Sequence, residues 1–160
     1  MATEGKIIYI TKEKLQELKK EHEKLVVFER NKTVGQEAPR ILESEDMNPE
    51  FVSFQEDMDS LRSRIDELEI IIENHTLIKN PPKEKRAFVD IGATVKVDVH
   101  GKQNEFMIVG TLEANPDIGK ISNESPIGKA LLGHKVGDQV RIELPTDATY
   151  KIKKIRYQVN

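Results

Sequence analysis

Cysteine and tryptophan are both missing from this 160-residue chain, and only 5% of its residues are aromatic. Without thiols there can be neither a disulfide framework nor a thiolate zinc centre. The four histidines, at positions 22, 75, 100 and 134, are scattered without metal-ligand spacing. No apolar run is long enough to span a bilayer, and the opening MATEGKIIYI has neither a basic leader nor an apolar core. Membrane insertion and secretion are therefore not expected, and a reducing compartment, the cytoplasm, is. Hydrophobic residues are also few, at 37% beside 33% charged. That balance suits a chain of which part is an exposed rod with little interior.

What is present divides into two differently charged halves. Residues 1–80 carry 12 basic and 18 acidic side chains, whereas residues 81–160 carry 13 and 10. In the first half Phe51, Phe54, Met58, Leu61, Ile65, Leu68 and Ile72 follow at alternating intervals of three and four, the a and d spacing of a coiled-coil helix. Leu15, Leu18, His22 and Leu25 repeat that spacing upstream, behind Thr11 as an N-cap and Glu13 in the first turn. The two stretches are expected to pair antiparallel. Asn48-Pro49-Glu50 reads as N-cap, first helical proline and first-turn acid, which places the hairpin tip at residues 43–47. A helix over about 49–74 would be roughly 40 Å long at ~1.5 Å per residue. Gly35 and Pro39 predict a break in the upstream arm.

Residues 79–86 are polar, charged and proline-bearing, a linker between a hairpin domain at 1–78 and a second domain at 87–160. There the apolar period changes to two. Ala93, Val95, Val97 and Val99 alternate up to His100-Gly101, and residues 105–109 continue as the second strand of a hairpin. Residues 139–144 and 150–157 are further strands around a Pro-Thr-Asp turn, with Lys153-Lys154 marking a bulge. Between the pairs, Ser125-Pro126 opens a short helix that Gly133 closes, its buried face being Ala130, Leu131 and Leu132. The fold class is α+β.

The chemistry concentrates at residues 41–61, which hold Glu43, Glu45, Asp46, Glu50, Glu56, Asp57 and Asp59 and no lysine or arginine. One reading is a solvated tip followed by an acidic helix start that suits the helix dipole. The other is a probe that carries carboxylates to a hard cation such as Mg²⁺, whose remaining ligands come from elsewhere. Lysines and arginines on the upstream arm are interleaved with glutamates, so neither direct DNA binding nor, in particular, sequence-specific DNA recognition is expected.

Ser125-Pro126-Ile127-Gly128-Lys129-Ala130-Leu131-Leu132-Gly133, followed by Lys135-Val136-Gly137-Asp138, resembles the C-terminal signature of the bacterial Gre transcript-cleavage factors. Gly92-Ala93-Thr94-Val95, Ile108-Val109-Gly110 and Ile121-Ser122 stand in the same order as in that family. The resemblance spans essentially the whole chain. It implies a coiled-coil hairpin followed by an antiparallel sheet domain with one short helix, similar to FKBP-type prolyl isomerases. It also implies a monomeric partner of RNA polymerase that enters the secondary channel and meets the nascent RNA 3′ end only indirectly. Such a factor is no enzyme and binds no cofactor stably alone; its tip acids share a Mg²⁺ with the polymerase, whose own two-metal site hydrolyses the transcript.

On that basis Glu43, Glu45 and Asp46 are the candidate catalytic acids, with Glu45 and Asp46 as metal ligands. Asn48, Glu50 and Phe51 at the tip, and Ser125, Pro126 and Ile127 in the second domain, are the candidate binding residues. The family tip, Asp-x-x-Glu-Asn-x-Glu-Tyr, aligns its first two acids with Ser44 and Met47, its third with Glu50 and its tyrosine with Phe51. Glu43, Glu45 and Asp46 each lie one residue from an acid position. Two readings follow: an elongation factor that rescues backtracked or arrested complexes by stimulating cleavage, and a channel-binding regulator without cleavage. Prolyl isomerase activity is not expected, since Phe88, Phe106, Tyr150 and Tyr157 are too few to line an aromatic proline pocket.

Overall fold

The computed structural model describes residues 6–34 and 49–159. They form two units: Leu15–Asn74, and the described parts of Met1–Lys14 together with His75–Asn160. Residues 6–14 and 75–86, assigned from sequence to the hairpin domain and linker, thus group with the sheet. Two local causes are visible. Strand β1 (Ile8–Ile10) pairs in parallel with β2 (His75–Leu77), and the Asn80 side chain both donates to Val159 O at 2.8 Å and accepts from Val159 N at 2.9 Å.

The helical unit is built from α1 (Lys12–Val34) and α2 (Pro49–Asn74). Proline at the first position of α2 removes only an N–H that has no intrahelical partner, and Glu50 puts a carboxylate in the first turn. Arg64 spans the helices, with Nε and Nη2 on the two Glu21 carboxylate oxygens at 2.8 and 3.0 Å. Arg62 meets Glu29 at 2.8 Å and His22 meets Glu69 at 3.1 Å. His22 near the start of α1 meets Glu69 near the end of α2, while Glu29 further along α1 meets Arg62 earlier in α2, so the helices run antiparallel. Leu15, Leu18, Met58, Ile65 and Leu68 are buried, while Phe51, Phe54, Leu61, His22 and Leu25 are half-buried. At the last turn Ile71 is buried and Ile72 only half-buried, so the stripe extends beyond the a and d positions there. Gly35, Pro39 and the tip at 43–47 lie outside the described residues.

The second unit holds a five-stranded sheet of β3 (Ala93–Val99), β4 (Lys102–Val109), β5 (Lys120–Ser122), β6 (Gln139–Ile142) and β7 (Ala148–Tyr157), in the order β5-β4-β3-β7-β6. His100 and Gly101 join β3 to β4 with φ of 53° and 81°, the left-handed pair a tight hairpin turn requires. Asp98 Oδ1 accepts the Gly101 N–H at 2.9 Å. Opposite β7, Lys96 faces Lys154 and Val97 faces Ile152, leaving Lys153 as the extra residue of the expected bulge. The sheet is mixed rather than antiparallel throughout, because β4 and β5 pair in parallel. Residues 110–119, with 3₁₀ turns at Thr111–Glu113 and Pro116–Ile118, supply the crossover that a parallel pair needs.

Helix α3 (Pro126–Leu131) begins as the sequence predicts: Ser125 Oγ accepts from Gly128 N at 3.0 Å and Pro126 occupies the first turn. Leu131 is fully buried among Val89, Val95, Val97, Ile108, Ile121, Val140, Ile142 and Ile152. The helix approaches β5 so closely that a Cβ on Gly128 would lie 2.0 Å from Ser122 O. Gly128→Ala gains roughly 1 kcal/mol of helix propensity but forces an overlap with rigid backbone, which costs about 1–3 kcal/mol or more. At 2.0 Å the overlap falls at the upper end of that range, so a net destabilisation of about 2 kcal/mol or more is expected in urea unfolding; a variant as stable as the parent would contradict this packing.

Candidate functional site

The candidate acids Glu43, Glu45 and Asp46, and the cap Asn48, lie outside the described residues. Glu50 is exposed in the first turn of α2. Phe51 is half-buried and lines a shallow groove with Phe54, Met58, Thr33 and Arg62, so it packs the first layers of the hairpin as its heptad position implies. Among the described residues, no three His, Asp or Glu side chains come together as a metal site, and no helix is long and apolar enough to cross a membrane.

In the sheet unit, Ser125, Pro126 and Ile127 are brought together at the start of α3, each with a structural task. Ser125 Oγ donates to Ser122 O at 2.7 Å while capping the helix. Ile127 packs half-buried against the core, and Pro126 is exposed. The motif at 135–138 is a turn. Asp138 Oδ2 accepts the Lys135 N–H at 3.0 Å and meets His134 Nδ1 at 3.1 Å, and these contacts hold the Asp138 carboxyl below its ordinary pKa. Tyr157 closes the same end by donating its hydroxyl to Phe88 O at 2.5 Å and accepting the Asp90 N–H at 2.9 Å; burial pushes its pKa up.

The contacts that sequence reasoning missed surround β1. Thr11 donates its N–H to Glu113 Oε2 at 2.8 Å and its hydroxyl to Glu113 Oε1 at 2.6 Å. The same hydroxyl accepts from Lys14 N at 3.2 Å, so Thr11 is also the expected cap. Beside it Glu124 Oε2 takes the Thr111 hydroxyl at 2.8 Å and the Lys6 ammonium at 3.0 Å. A Cβ on Gly110 would lie 1.8 Å from Tyr9 O, so only glycine lets β1 lie against this loop. The available signals were the apolar run at residues 7–10 and the glycine ending Ile108-Val109-Gly110.

The Thr111 hydroxyl, and after it Lys6, hold the Glu124 carboxyl below the ordinary glutamate pKa. A depressed folded pKa means that its contribution to stability is complete above the unfolded value and is lost as pH falls through the folded one. A carboxyl-carbon NMR titration should place the Glu124 midpoint below that of an unpaired glutamate, and Thr111→Val should move it upward. A midpoint at the ordinary value in the parent would count against the contact.

The family model described as "Transcription elongation factor, GreA/GreB, C-term" matches residues 83–157. The transcription elongation factor GreA of Thermomicrobium roseum is 39% identical over 140 residues, which cover 86% of this chain and 89% of that one. The GreA of Acetivibrio thermocellus is 36% identical over 161 residues, covering 98% of this chain and 99% of its own. Among solved structures, the GreA factor homolog 1 of Thermus thermophilus covers 94% of this chain and 99% of its own at 22% identity and a TM-score of 0.42. The sequence identity to the GreA proteins extends along both units and from the start of the hairpin to the last strand; the chain belongs to the GreA family of transcription elongation factors.

Proposed function

We propose that this protein is a transcription elongation factor that binds RNA polymerase through its secondary channel and rescues backtracked or arrested complexes by stimulating the polymerase's own transcript cleavage. The observation that carries the reading is the 36% identity to a transcription elongation factor GreA along 98% of the chain. The relatives' shared name favours this reading over a regulator without cleavage. The protein is a cofactor of the polymerase's nuclease activity rather than an enzyme, and acts as a monomer in the cytoplasm.

The roles divide between the units. The sheet unit, with Pro126 exposed at the start of α3, supplies affinity, Ser125 and Ile127 holding that helix end in place. The hairpin supplies the effect, through Glu43, Glu45 and Asp46, which precede α2 in the sequence, with Asn48, Glu50 and Phe51 as the binding residues next to them. Carboxylate oxygens are hard donors that suit Mg²⁺, and one or two carboxylates are the usual protein share of such a site. When bound between factor and polymerase, the metal would stabilise charge on the attacking or leaving oxygen of the RNA phosphodiester. Glu45 and Asp46 would hold it; the nascent RNA 3′ end would be met only through the polymerase.

Stalled, backtracked complexes with Mg²⁺ provide the test. Added protein should release short 3′ RNA fragments above the level of polymerase alone. Glu45→Ala or Asp46→Ala should lower that release by orders of magnitude while leaving polymerase binding intact. If cleavage stays at the polymerase-alone level while nucleotide addition slows, the cleavage reading fails; Met47→Glu would then show whether the missing family carboxylate was the reason.

A further inference from the structure

The outward face of the five-stranded sheet carries a basic array that the proposed function does not use. Strand alternation puts Val95, Val97, Ile108, Val140 and Ile152 on the core side, so the residues between them point away from it. The register then sets Lys96 directly opposite Lys154, Arg156 opposite Thr94, and Lys120 opposite Met107. Lys151 lies between Asp98 and Gln139, and the bulge adds Lys153, exposed, beside Lys154.

Acids on this face are already engaged. Glu105, across from Lys96, is held by Arg156 at 2.6 Å, and Asp98 accepts the Gly101 N–H. Among the described residues, no carboxylate pairs with Lys96, Lys120, Lys151, Lys153 or Lys154. Like charges placed directly across a strand pair are destabilising, so the Lys96–Lys154 pair gives the fold nothing. A polyanion lying over the pair would relieve that repulsion.

We infer that this sheet face binds the phosphate backbone of duplex DNA without reading its sequence. Three features select that occupant. First, the apolar residues of this face are Met107 and Val109, and Val109 is already fully buried, while Phe106, Tyr150 and Tyr157 pack against the core; a protein partner would need an accessible apolar hot spot. Second, single-stranded nucleic acid is gripped by stacking on aromatics, which this face lacks. Third, lysines are point charges suited to phosphate rather than to the base edges that arginine reads as a fork. From β5 to β7 the array spans three strand intervals, about 14 Å at ~4.8 Å each, and a duplex presents a charge roughly every 1.7 Å of its axis.

The test uses the full chain and a fluorescein-labelled mixed-sequence duplex of about 30 base pairs, read by anisotropy at low salt. Binding should weaken linearly on a log–log plot against salt, and an unrelated duplex sequence should bind equally. Lys96→Gln/Lys151→Gln/Lys154→Gln should bind at least ~10-fold more weakly and reduce the salt slope by about 2–3, near one per lysine. Lys19→Gln/Lys20→Gln on α1 should leave both unchanged. Lys154→Gln alone guards against a folding artefact, because relieving the Lys96 repulsion should raise the thermal midpoint while lowering the salt slope by about 1. The inference is overturned by absence of duplex binding at low salt, by a triple variant that binds like the parent, or by poly-glutamate or single-stranded RNA competing as well as the duplex.

Discussion

One carboxylate, Glu113, receives two donors from a residue 102 positions away: the Thr11 N–H at 2.8 Å and the Thr11 hydroxyl at 2.6 Å. Closing a chain segment of about 100 residues costs on the order of 4 kcal/mol beyond the fixed term. Hydrogen bonds to a charged acceptor contribute about 1.5–3 kcal/mol each, so the pair is of the right size to offset that loss. Burial of Ile10, fully enclosed, adds to it. Once Thr11 is held, β1 can pair with β2 and lie against Gly110, and Thr11 is placed to cap α1. Because α1 starts at Lys12 and α2 ends at Asn74, immediately before β2, both helices are continuous with strands that are hydrogen-bonded to each other.

Within the hairpin the ion pairs are conspicuous but apolar burial dominates. Arg64 and Glu21 are each 40% exposed at the side chain, and pairs of that exposure contribute about 0.2–1 kcal/mol. Burying a leucine, isoleucine or methionine contributes about 1.5–3 kcal/mol, and Leu68, Ile65 and Met58 are all buried. The hydrogen bonds that Arg64 donates to Glu21 and Glu67 raise its pKa. A raised folded pKa leaves its stabilisation complete everywhere below the ordinary arginine value, so the Arg64 pairs carry no pH response near neutrality. What holds the hairpin is thus chiefly the buried stripe from Met58 to Ile71.

The elements legible in the sequence are those whose signal is local. Heptad spacing marked α2, Ser125-Pro126 marked the start of α3, alternation to His100-Gly101 marked the β3–β4 hairpin, and Lys153-Lys154 marked a bulge. β1, β2 and β5 each have three residues, too short for any period to emerge, and their partners lie far away or across a crossover. Thr11 illustrates the difference: its capping role follows from its neighbours, while its bonds to Glu113 depend on a loop that no pattern around residue 11 announces. Among the site residues, Phe51 was readable because it belongs to a heptad. Ser125 and Ile127 carry the family signature for reasons of capping and packing, which is why the motif identifies the fold better than it identifies a contact.

Charge along α2 shows how tip chemistry can change without disturbing the fold. The helix has 26 residues and is therefore about 39 Å long at ~1.5 Å per residue, whereas screening at physiological ionic strength acts over ~8 Å. Carboxylates near its first turn are electrically independent of groups near its last. Glu56, Asp57 and Asp59 follow Glu50 without an intervening base, and the first arginine, Arg62, is already bonded to Glu29. The first three turns of α2 therefore carry acids and no base. Substitutions separated by more than about 10 Å with no shared partner add independently. Ser44 and Met47, standing where the family has acids, precede Pro49 in the sequence and are not among the positions of the buried stripe from Met58 to Ile71.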